Sequence, residues 1–267
     1  SMEEYRIRAI NTGYVLISAK NYQFHHSVHT YLKDVSLLDS PLPVYCFLVE
    51  NDETKILVDT GMSDTERANK YHHSGSWQED GQDVCSQLTK IGIMPEEIDA
   101  VIFTHLHWDH CFNMKAFSRA KYYAHDKEYS FAMDPLPLYY RSYEHPFLGI
   151  ESPFYGVEFN TFSEETELFP GIRVIETFGH SPGHVCVEVD TKDGKYIIGG
   201  DVAFRQENFD AIPELGYEVT PPSRYVDVID SYNSIAKIKK RAADPQHILL
   251  CHDVGLIERM RQNPVIG

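Results

Sequence analysis

The stretch Thr104-His105-Leu106-His107-Trp108-Asp109-His110 carries three imidazoles and a carboxylate within six residues. The apolar run Ala100-Val101-Ile102-Phe103 directly before it predicts a buried strand. If the chain stays extended into the stretch, His105, His107 and Asp109 point to one side, since side chains two apart in a strand share a face. The last histidine breaks this alternation and can point elsewhere. The pattern predicts a strand end that holds two metal ions; the alternative is a polar loop that is merely rich in histidine.

The composition is that of a folded, acidic protein. Of the 267 residues, 42% are apolar and 12% aromatic, which supports a sizeable core in one large domain or two small ones. Asp and Glu total 40 against 24 Lys and Arg, so the formal charge is −16. This surface charge repels phosphate groups, and we expect neither nucleic acid nor a membrane as a partner.

The cysteines and the N-terminal residues indicate the cellular compartment of the protein. Five widely spaced cysteines form no Cys-x-x-Cys pair, which predicts a reducing environment without a disulfide framework. The residues Ser1-Met2-Glu3-Glu4 do not resemble a signal peptide, and no apolar run reaches transmembrane length. We therefore expect a cytoplasmic protein.

Alternation of apolar residues and turn signals predict the secondary structure. The predicted strands are a hairpin over 5–18 with its turn at Asn11-Thr12-Gly13, a pair at 44–49 and 55–58, and single strands at 100–103, 121–124, 172–177, 185–190, 196–201 and 247–251. The predicted helices lie near 83–91, 126–133 and 223–242, and 62–82 is predicted to be a long loop.

Two aromatic segments lack a regular period. Residues 20–40, with Tyr22 and His25, predict either a surface loop or one wall of a substrate pocket. Residues 134–160, with Tyr139 and Tyr140, are too long for an ordinary connection. This second segment is interpreted as a lid over the site, an oligomer contact or a packed surface insertion, because an apolar pocket wall needs such residues.

Further candidate metal ligands follow other predicted strands or open them. His184 closes the loop Gly179-His180-Ser181-Pro182-Gly183-His184, Asp201 follows a glycine pair, and His252 follows the last predicted strand. With the first motif they make seven ligands, too many for one tetrahedral ion, and they fit two ions that share one carboxylate. His180 is left outside this set, as a supporting residue or a loop anchor.

The chain resembles the metallo-β-lactamase superfamily, whose His-x-His-x-Asp-His, His, Asp, His pattern it meets in order. The matching residues are His105, His107, Asp109, His110, His184, Asp201 and His252. The resemblance implies an α+β fold, a four-layer αββα sandwich in a single domain over 1–267. It also implies that one metal takes His105, His107 and His184, the other takes Asp109, His110 and His252, and Asp201 bridges.

The early motif Leu57-Val58-Asp59-Thr60-Gly61 is part of the same resemblance. A carboxylate at a strand end can hold a metal-bound imidazole by its free N–H, and we expect this of Asp59. The alternative is a simple turn stabilised by an Asp side chain.

Within the superfamily, the chain is similar to the N-acyl homoserine lactonases and related small-lactone hydrolases, which implies a quorum-quenching type of activity. Two positions depart from that group. Phe204 stands three residues after Asp201, where those lactonases carry a Tyr that hydrogen-bonds the substrate, and Phe has no donor. Phe112 replaces a small residue and is expected to reshape the pocket. Both are assigned to the substrate pocket.

The implied reaction is hydrolysis of a lactone or related ester by a metal-bridging hydroxide, with Asp109 as the catalytic proton shuttle. Donors that can replace the missing Tyr are Tyr22, His25, Tyr139 and Tyr140. The expected cofactors are two divalent ions, zinc first, with iron, cobalt or manganese as alternatives. The expected partners are a small-molecule lactone or ester and, as a candidate, a second copy in a homodimer.

Three other functions stay open. A thioesterase or an amide or aromatic-lactone hydrolase of the superfamily has the same ligands. A persulfide dioxygenase with a single iron shares much of the ligand pattern. A metal-stabilised binding module would hold the ions and hydrolyse nothing.

Overall fold

The computed structural model describes residues 3–34 and 41–267, so residues 35–40 of the predicted 20–40 loop lie outside the described residues. The strands are β1 Arg6–Val15, β2 Leu42–Glu50, β3 Lys55–Val58, β4 Ala100–Ile102, β5 Lys121–His125, β6 Phe159–Phe162, β7 Thr166–Phe169, β8 Ile172–Glu176, β9 Val185–Thr191, β10 Gly194–Gly200, β11 Ile248–Leu250 and β12 Val265–Ile266. The helices are α1 Ala19–Tyr22, α2 Thr65–Tyr71, α3 Val84–Lys90, α4 Trp108–Cys111, α5 Asp126–Met133, α6 Val228–Arg241 and α7 Gly255–Gln262.

The strands form two mixed sheets. In the described part of the chain, one sheet has the order β12-β1-β2-β3-β4-β5-β6 and the other the order β11-β10-β9-β8-β7. The first sheet is antiparallel from β12 to β3 and parallel from β3 to β6. In the second sheet, β10 and β11 are parallel and the other pairs are antiparallel.

Three apolar layers hold the sheets and helices together. Side chains of both sheets meet in a central core, to which β2 contributes Phe47 and Val49. Cys46 and Leu48 of the same strand face the opposite way, toward a layer that includes Leu88 of α3. Since β2 is buried on both faces, its sequence is almost continuously apolar instead of alternating. A third layer joins the second sheet to α6, and the predicted αββα sandwich is confirmed.

The topology brings the polar strand ends together. β3 and β4 run parallel in register, Val58 opposite Ile102, so Asp59 and the His-rich motif leave the same sheet edge. β10 and β11 are also parallel, so Asp201 and His252 follow neighbouring strand ends.

The predicted N-terminal hairpin is wrong, because residues 6–15 form one bulged strand. β1 pairs with β2 on both sides of the bulge, which lies between Asn11 and Tyr14. Asn11 Oδ1 accepts a hydrogen bond from Gly13 N, and Gly13 has a φ of 150°, a conformation that glycine tolerates. The turn residues therefore make a bulge and not a chain reversal.

Several helical and strand segments differ from the prediction. The predicted loop 62–82 contains α2, whose first turn is capped by the Asp64 side chain accepting from Arg67 N. The helix predicted over 223–242 begins only at Val228, because Asp227 caps it by accepting from Asp230 N. β6, β7, α7 and β12 were not predicted. Among the described residues, none of the helices combines the length and apolar composition that crossing a bilayer requires.

Candidate metal centre

The His-rich motif leaves the extended conformation earlier than predicted. β4 ends at Ile102, and a helical turn, α4, begins at Trp108 with His107 at its N-cap. Asp109 and His110 therefore lie on a helical turn, and the strand alternation proposed for the histidines and Asp109 is wrong. The polar side chains of the motif are buried, so the turn still directs them inward.

A first donor group consists of His105, His107 and His180. Their ligand nitrogens lie within 4.8 Å of one another, and all three residues are buried. In the described part of the chain, the Nε2 atoms of all three have no hydrogen-bond partner. A buried polar atom without a partner is costly, so three converging imidazole nitrogens fit a metal ion that accepts their lone pairs.

A second donor group lies beside the first. His110 and His252 face the carboxylates of Asp109 and Asp201, and Asp109 Oδ2 lies 3.1 Å from His252 Nε2. Asp109 Oδ1 lies 3.6 Å from His110 Nε2. The thiol of Cys251 also lies in this group, 3.9 Å from His252 Nδ1, and the sequence had not marked it as a candidate.

Asp201 connects the two groups through one oxygen. Its Oδ2 lies 3.6 Å from His105 Nε2 and 3.2 Å from His180 Nε2 on one side. On the other side, the same oxygen lies 3.2 Å from His110 Nε2 and 3.4 Å from His252 Nε2. The second oxygen, Oδ1, is buried without a partner among the described residues. This arrangement fits a carboxylate shared by two cations.

His184 does not join the donor groups. Its Nε2 accepts a hydrogen bond from Asp201 N at 3.1 Å, and its Nδ1 lies 2.9 Å from Thr177 Oγ1. Burial lowers the pKa of His184 to about 3, so the ring is neutral and both nitrogens are used. The geometry thus brings His180 to the position that the sequence analysis assigned to His184.

Glycine at position 200 makes this contact possible. Gly200 has a φ of 53°, and a Cβ there would lie 2.7 Å from Thr104 Oγ1 and 2.8 Å from His184 Nε2. Any other residue would displace the ring that supports Asp201.

Asp59 supports His110 from outside the donor group. Its Oδ2 lies 2.8 Å from His110 Nδ1, and Thr104 donates to it from both its backbone N and its hydroxyl. Asp59 has a φ of 63°, a left-handed conformation that costs energy for a residue other than glycine. The packing maintains this strain, and the carboxylate then orients the imidazole.

The buried carboxylates favour positive charge at the centre. Burial lowers the pKa values of His105 and His107 well below the usual value for histidine, so both rings are neutral and able to act as ligands. Burial also opposes charge on His110, but Asp201 and Asp109 outweigh it and raise the pKa of His110. A divalent cation supplies the same positive charge.

The centre lies at the bottom of a cavity of about 260 Å³. The cavity is lined by Ile17, Tyr22, His72, His73, His107, Trp108, Asp109, Leu138, Arg141, Ser142, His180, Asp201, Phe204, Arg224 and His252. The volume lies just below the roughly 300–1,000 Å³ that is usual for small-molecule sites.

Of the predicted pocket residues, Tyr22 and Phe204 line this cavity. The Phe204 ring lies edge-on to His180 and stacks on His252, with centroid distances of 5.8 and 5.6 Å. Its backbone N donates to Asn208 Oδ1, so neither its ring nor its amide offers a donor to a substrate.

The other predicted pocket residues face elsewhere. The helical turn of the motif carries Phe112 away from the cavity. Its ring packs under the guanidinium of Arg67, whose Cζ lies 5.1 Å from the ring centroid. Tyr140 stacks on His145, and the His25 ring lies tilted against the ring of His26 at a centroid distance of 4.1 Å. The Tyr139 hydroxyl donates to Tyr225 O, which places it behind the lining.

Several residues of the site were not among those predicted from the sequence. His73, Trp108 and Arg224 line the cavity, and Glu128 accepts hydrogen bonds from both ligand loops. Trp108 belongs to the His-rich motif, whereas His73, Arg224 and Glu128 follow no motif and only the fold brings them to the centre.

Residues 39–250 match the family model described as the Metallo-beta-lactamase superfamily. The chain belongs to the metallo-beta-lactamase superfamily. As a member it is a metal-dependent hydrolase, and both predictions from the sequence are confirmed.

Curated relatives of this superfamily member include N-acyl homoserine lactonases. That of Bacillus cereus is 30% identical over 202 residues, which cover 72% of this chain and 76% of the relative. The N-acyl homoserine lactonase AiiA of Bacillus thuringiensis subsp. kurstaki is 29% identical over 204 residues, 73% of this chain and 77% of the relative. The predicted resemblance to this group is confirmed.

Solved structures share the metallo-beta-lactamase fold. A quorum-quenching N-acyl homoserine lactone lactonase has a TM-score of 0.74 at 23% identity, with 97% of each chain covered. AidC, a dizinc quorum-quenching lactonase, has a TM-score of 0.70 at 16% identity, with 95% of this chain and 89% of that chain covered. At these identities the comparison concerns the fold alone.

Proposed function

We propose that this metallo-beta-lactamase superfamily member is a dinuclear metal-dependent hydrolase that opens a small lactone. The observation that carries the proposal is the position of Asp201 Oδ2, within 3.2–3.6 Å of four imidazole Nε2 atoms that belong to two adjacent donor groups. Two ions that share one carboxylate are the arrangement these distances support.

The proposed ligands divide between the two ions. His105, His107 and His180 would hold one ion, and Asp109, His110 and His252 the other, with Asp201 shared. The assignment of His180 instead of His184 rests on two observations: the Nε2 of His180 has no hydrogen-bond partner within residues 3–34 and 41–267, and Asp201 N donates to the Nε2 of His184. When bound, two such ions lower the pKa of a water molecule and polarise a carbonyl group.

Asp109 is the proposed proton carrier. It lines the cavity and lies against His252, so its carboxylate faces both the donor group and the space for a substrate. Although burial opposes ionisation, His110 and His252 hold the pKa of Asp109 below its usual value. An ionised carboxylate there can take a proton from the attacking water and return it to the leaving oxygen of the ring.

Zinc is the proposed metal. Imidazole and carboxylate donors suit it, and iron, cobalt and manganese accept the same donors. AidC, which shares the fold, is a dizinc lactonase. A lactone substrate is supported by the curated N-acyl homoserine lactonases, and Phe204 distinguishes this chain by leaving the cavity without a donor at that position.

The segment 134–160 is proposed to cover the site. Leu138, Arg141 and Ser142 line the cavity, which supports its role as a wall or lid. Leu138 and Phe147 are 82% and 81% exposed, so the segment also offers apolar surface for the contact between two copies in a homodimer. The cytoplasmic location stays a prediction.

The test combines metal analysis with substrate turnover. The protein as purified is assayed for metal content by mass spectrometry and for oxygen consumption. The Zn²⁺-loaded protein is assayed for hydrolysis of γ-lactones, N-acyl homoserine lactones, aromatic lactones, esters and thioesters. We expect about two ions per chain, lactone turnover, loss of activity with a chelator and recovery with Zn²⁺. A single iron with oxygen consumption would instead support the persulfide dioxygenase alternative. Two ions without turnover of any of these compounds would support a binding module.

A further inference from the structure

Arg224 presents a positive charge to the cavity beside the metal centre. Its guanidinium lies between two tyrosine rings, with Cζ 5.4 Å from the centroid of Tyr22 and 5.8 Å from that of Tyr139. Its Nη2 donates to Ser142 Oγ at 2.8 Å. Two aromatic faces and one hydroxyl therefore hold the half-buried side chain in place.

The charge of Arg224 is not neutralised by a protein carboxylate. Across residues 3–34 and 41–267, no Asp or Glu oxygen lies within 4.0 Å of its guanidinium. Arg67 and Arg241, by contrast, each pair with a buried glutamate at 2.8 Å. Arg141 also lines the cavity without an ion pair among the described residues, but its guanidinium donates to the carbonyl oxygens of Tyr71 and His72. Among the same residues, the Arg224 guanidinium donates to one hydroxyl and keeps its other N–H groups for a ligand.

The backbone of Arg224 fixes this charge relative to the donor groups. Its carbonyl oxygen lies 3.3 Å from His180 Nδ1, so the residue supports a proposed ligand while its side chain faces the cavity. The cavity that would admit a substrate to the donor groups is thus lined by both His180 and Arg224. The planar guanidinium offers parallel N–H donors that match a carboxylate.

The size and chemistry of the cavity limit the rest of the substrate. A volume of about 260 Å³ and a lining that is mostly polar suit a compact ring with a polar substituent. A long acyl chain needs an extended apolar wall, and the apolar lining residues are too few to form one: Ile17, Trp108, Leu138 and Phe204.

We propose that Arg224 binds an anionic substituent of the substrate, and that the enzyme acts on a small lactone that carries a carboxylate. This rests on the lactone hydrolysis proposed above. Water adds to the ring carbonyl, the bond from that carbon to the ring oxygen breaks, and the ring oxygen takes up a proton. The product is a hydroxy acid with two carboxylates, one from the opened ring and one held by Arg224.

The test uses two matched pairs of probes on the zinc-loaded enzyme. The first pair is γ-butyrolactone with a carboxylate at its γ carbon and the same lactone with a carboxamide there, assayed for hydrolysis. The second pair is the corresponding γ-lactam with a carboxylate or a carboxamide, which resists hydrolysis and is assayed for binding by calorimetry. The variants are Arg224→Gln, Arg224→Lys and, as a charge-matched control, Arg119→Gln, since Arg119 is exposed.

We expect the wild type to prefer the carboxylate of each pair by about 10- to 100-fold, as a charge-assisted bidentate contact provides. Arg224→Gln should remove this preference mainly by raising KM for the carboxylate lactone, so that the two lactones are hydrolysed with similar kcat/KM. Arg224→Lys should restore part of the preference, and Arg119→Gln should retain it.

Equal hydrolysis of both lactones by the wild type would overturn the proposal, as would an equal loss for both lactones in Arg224→Gln. If the wild type hydrolyses neither lactone, the proposed function fails. The lactam titration then decides the anion site by itself: a carboxylate preference that depends on Arg224 supports it, and no preference contradicts it.

Discussion

The Nε2 atom of His184 accepts a hydrogen bond from the backbone N–H of Asp201 at 3.1 Å. This bond consumes the nitrogen that a metal ion would need and fixes the backbone of the carboxylate that both donor groups face. The other ring nitrogen is engaged by Thr177. His184 therefore positions Asp201. His180, four residues earlier, points its Nε2 to the centre, where this atom lies 3.2 Å from Asp201 Oδ2 and has no hydrogen-bond partner among the described residues.

The two histidines should differ in their effect on metal content. We expect His180→Ala to lower the bound metal by about one ion per chain, since it removes one of the three imidazoles proposed for that ion. His184→Ala should keep both ions at saturation and weaken their affinity by about 10- to 100-fold, because it removes only a supporting contact. Mass spectrometry after dialysis and chelator competition measure these quantities. The opposite pattern would return the ligand role to His184.

Asp59→Asn should weaken the binding of one metal ion without changing the fold. The carboxylate accepts from His110 Nδ1 and from both donors of Thr104, and an amide must turn its NH₂ toward one of them. We expect the affinity for the ion proposed at His110 to fall by about 10- to 100-fold in chelator competition. The control is Asp99→Asn, whose carboxylate accepts from Lys55 N at an exposed position. Equal affinities in wild type and Asp59→Asn would contradict this role.

Glu128 should be essential for stability, because it links the two ligand loops. Its Oε1 accepts from Ser181 Oγ and Gly183 N, and its Oε2 accepts from Leu106 N and Tyr143 OH. Glu128→Gln must direct its NH₂ at two of these donors. We expect a loss of about 2 kcal/mol in the free energy of unfolding, and about 3–5 kcal/mol for Glu128→Ala.

Urea denaturation at saturating Zn²⁺ measures the effect of Glu128. The matched control is Glu167→Gln, an exposed residue that accepts one bond from Gly171 N and should change stability by less than about 0.5 kcal/mol. If Glu128→Gln is as stable as the control, the four bonds do not stabilise the loops as described.

Phe204→Tyr should add a donor to the cavity. The Phe204 ring lies between His180 and His252, so a hydroxyl on it can reach a carbonyl group bound at the centre. We expect kcat/KM for N-acyl homoserine lactones to rise by about 10-fold, the contribution of one further hydrogen bond in the transition state. The control is Phe209→Tyr, which is buried in the layer against α6 and away from the cavity. Unchanged turnover would show that the donor at position 204 is not limiting.

Much of the fold followed from local patterns. β2, β3, β5, β9 and β10 are apolar runs bounded by turn residues, and α3, α5 and α6 carry helical periodicity. β6 and β7 were missed because their side chains are largely exposed and show no apolar alternation. α2 was missed because it buries only Ala68 and otherwise has the composition of a loop.

Taken alone, the sequence determined the fold family and the inventory of donors at the strand ends, because apolar runs and the order of His and Asp motifs are local properties. Only the tertiary structure distinguished His180 from His184, by placing the first in a donor group and the second in a hydrogen bond with Asp201 N. In a loop without regular secondary structure, the direction of a side chain depends on contacts with residues that are distant in the sequence. Here a Cβ on Gly179 would collide with Ser231, and Glu128 accepts hydrogen bonds from Ser181 and Gly183. The same applies to Arg224, which no motif marks and which reaches the cavity because Tyr22, Tyr139 and Ser142 converge on it from separate segments.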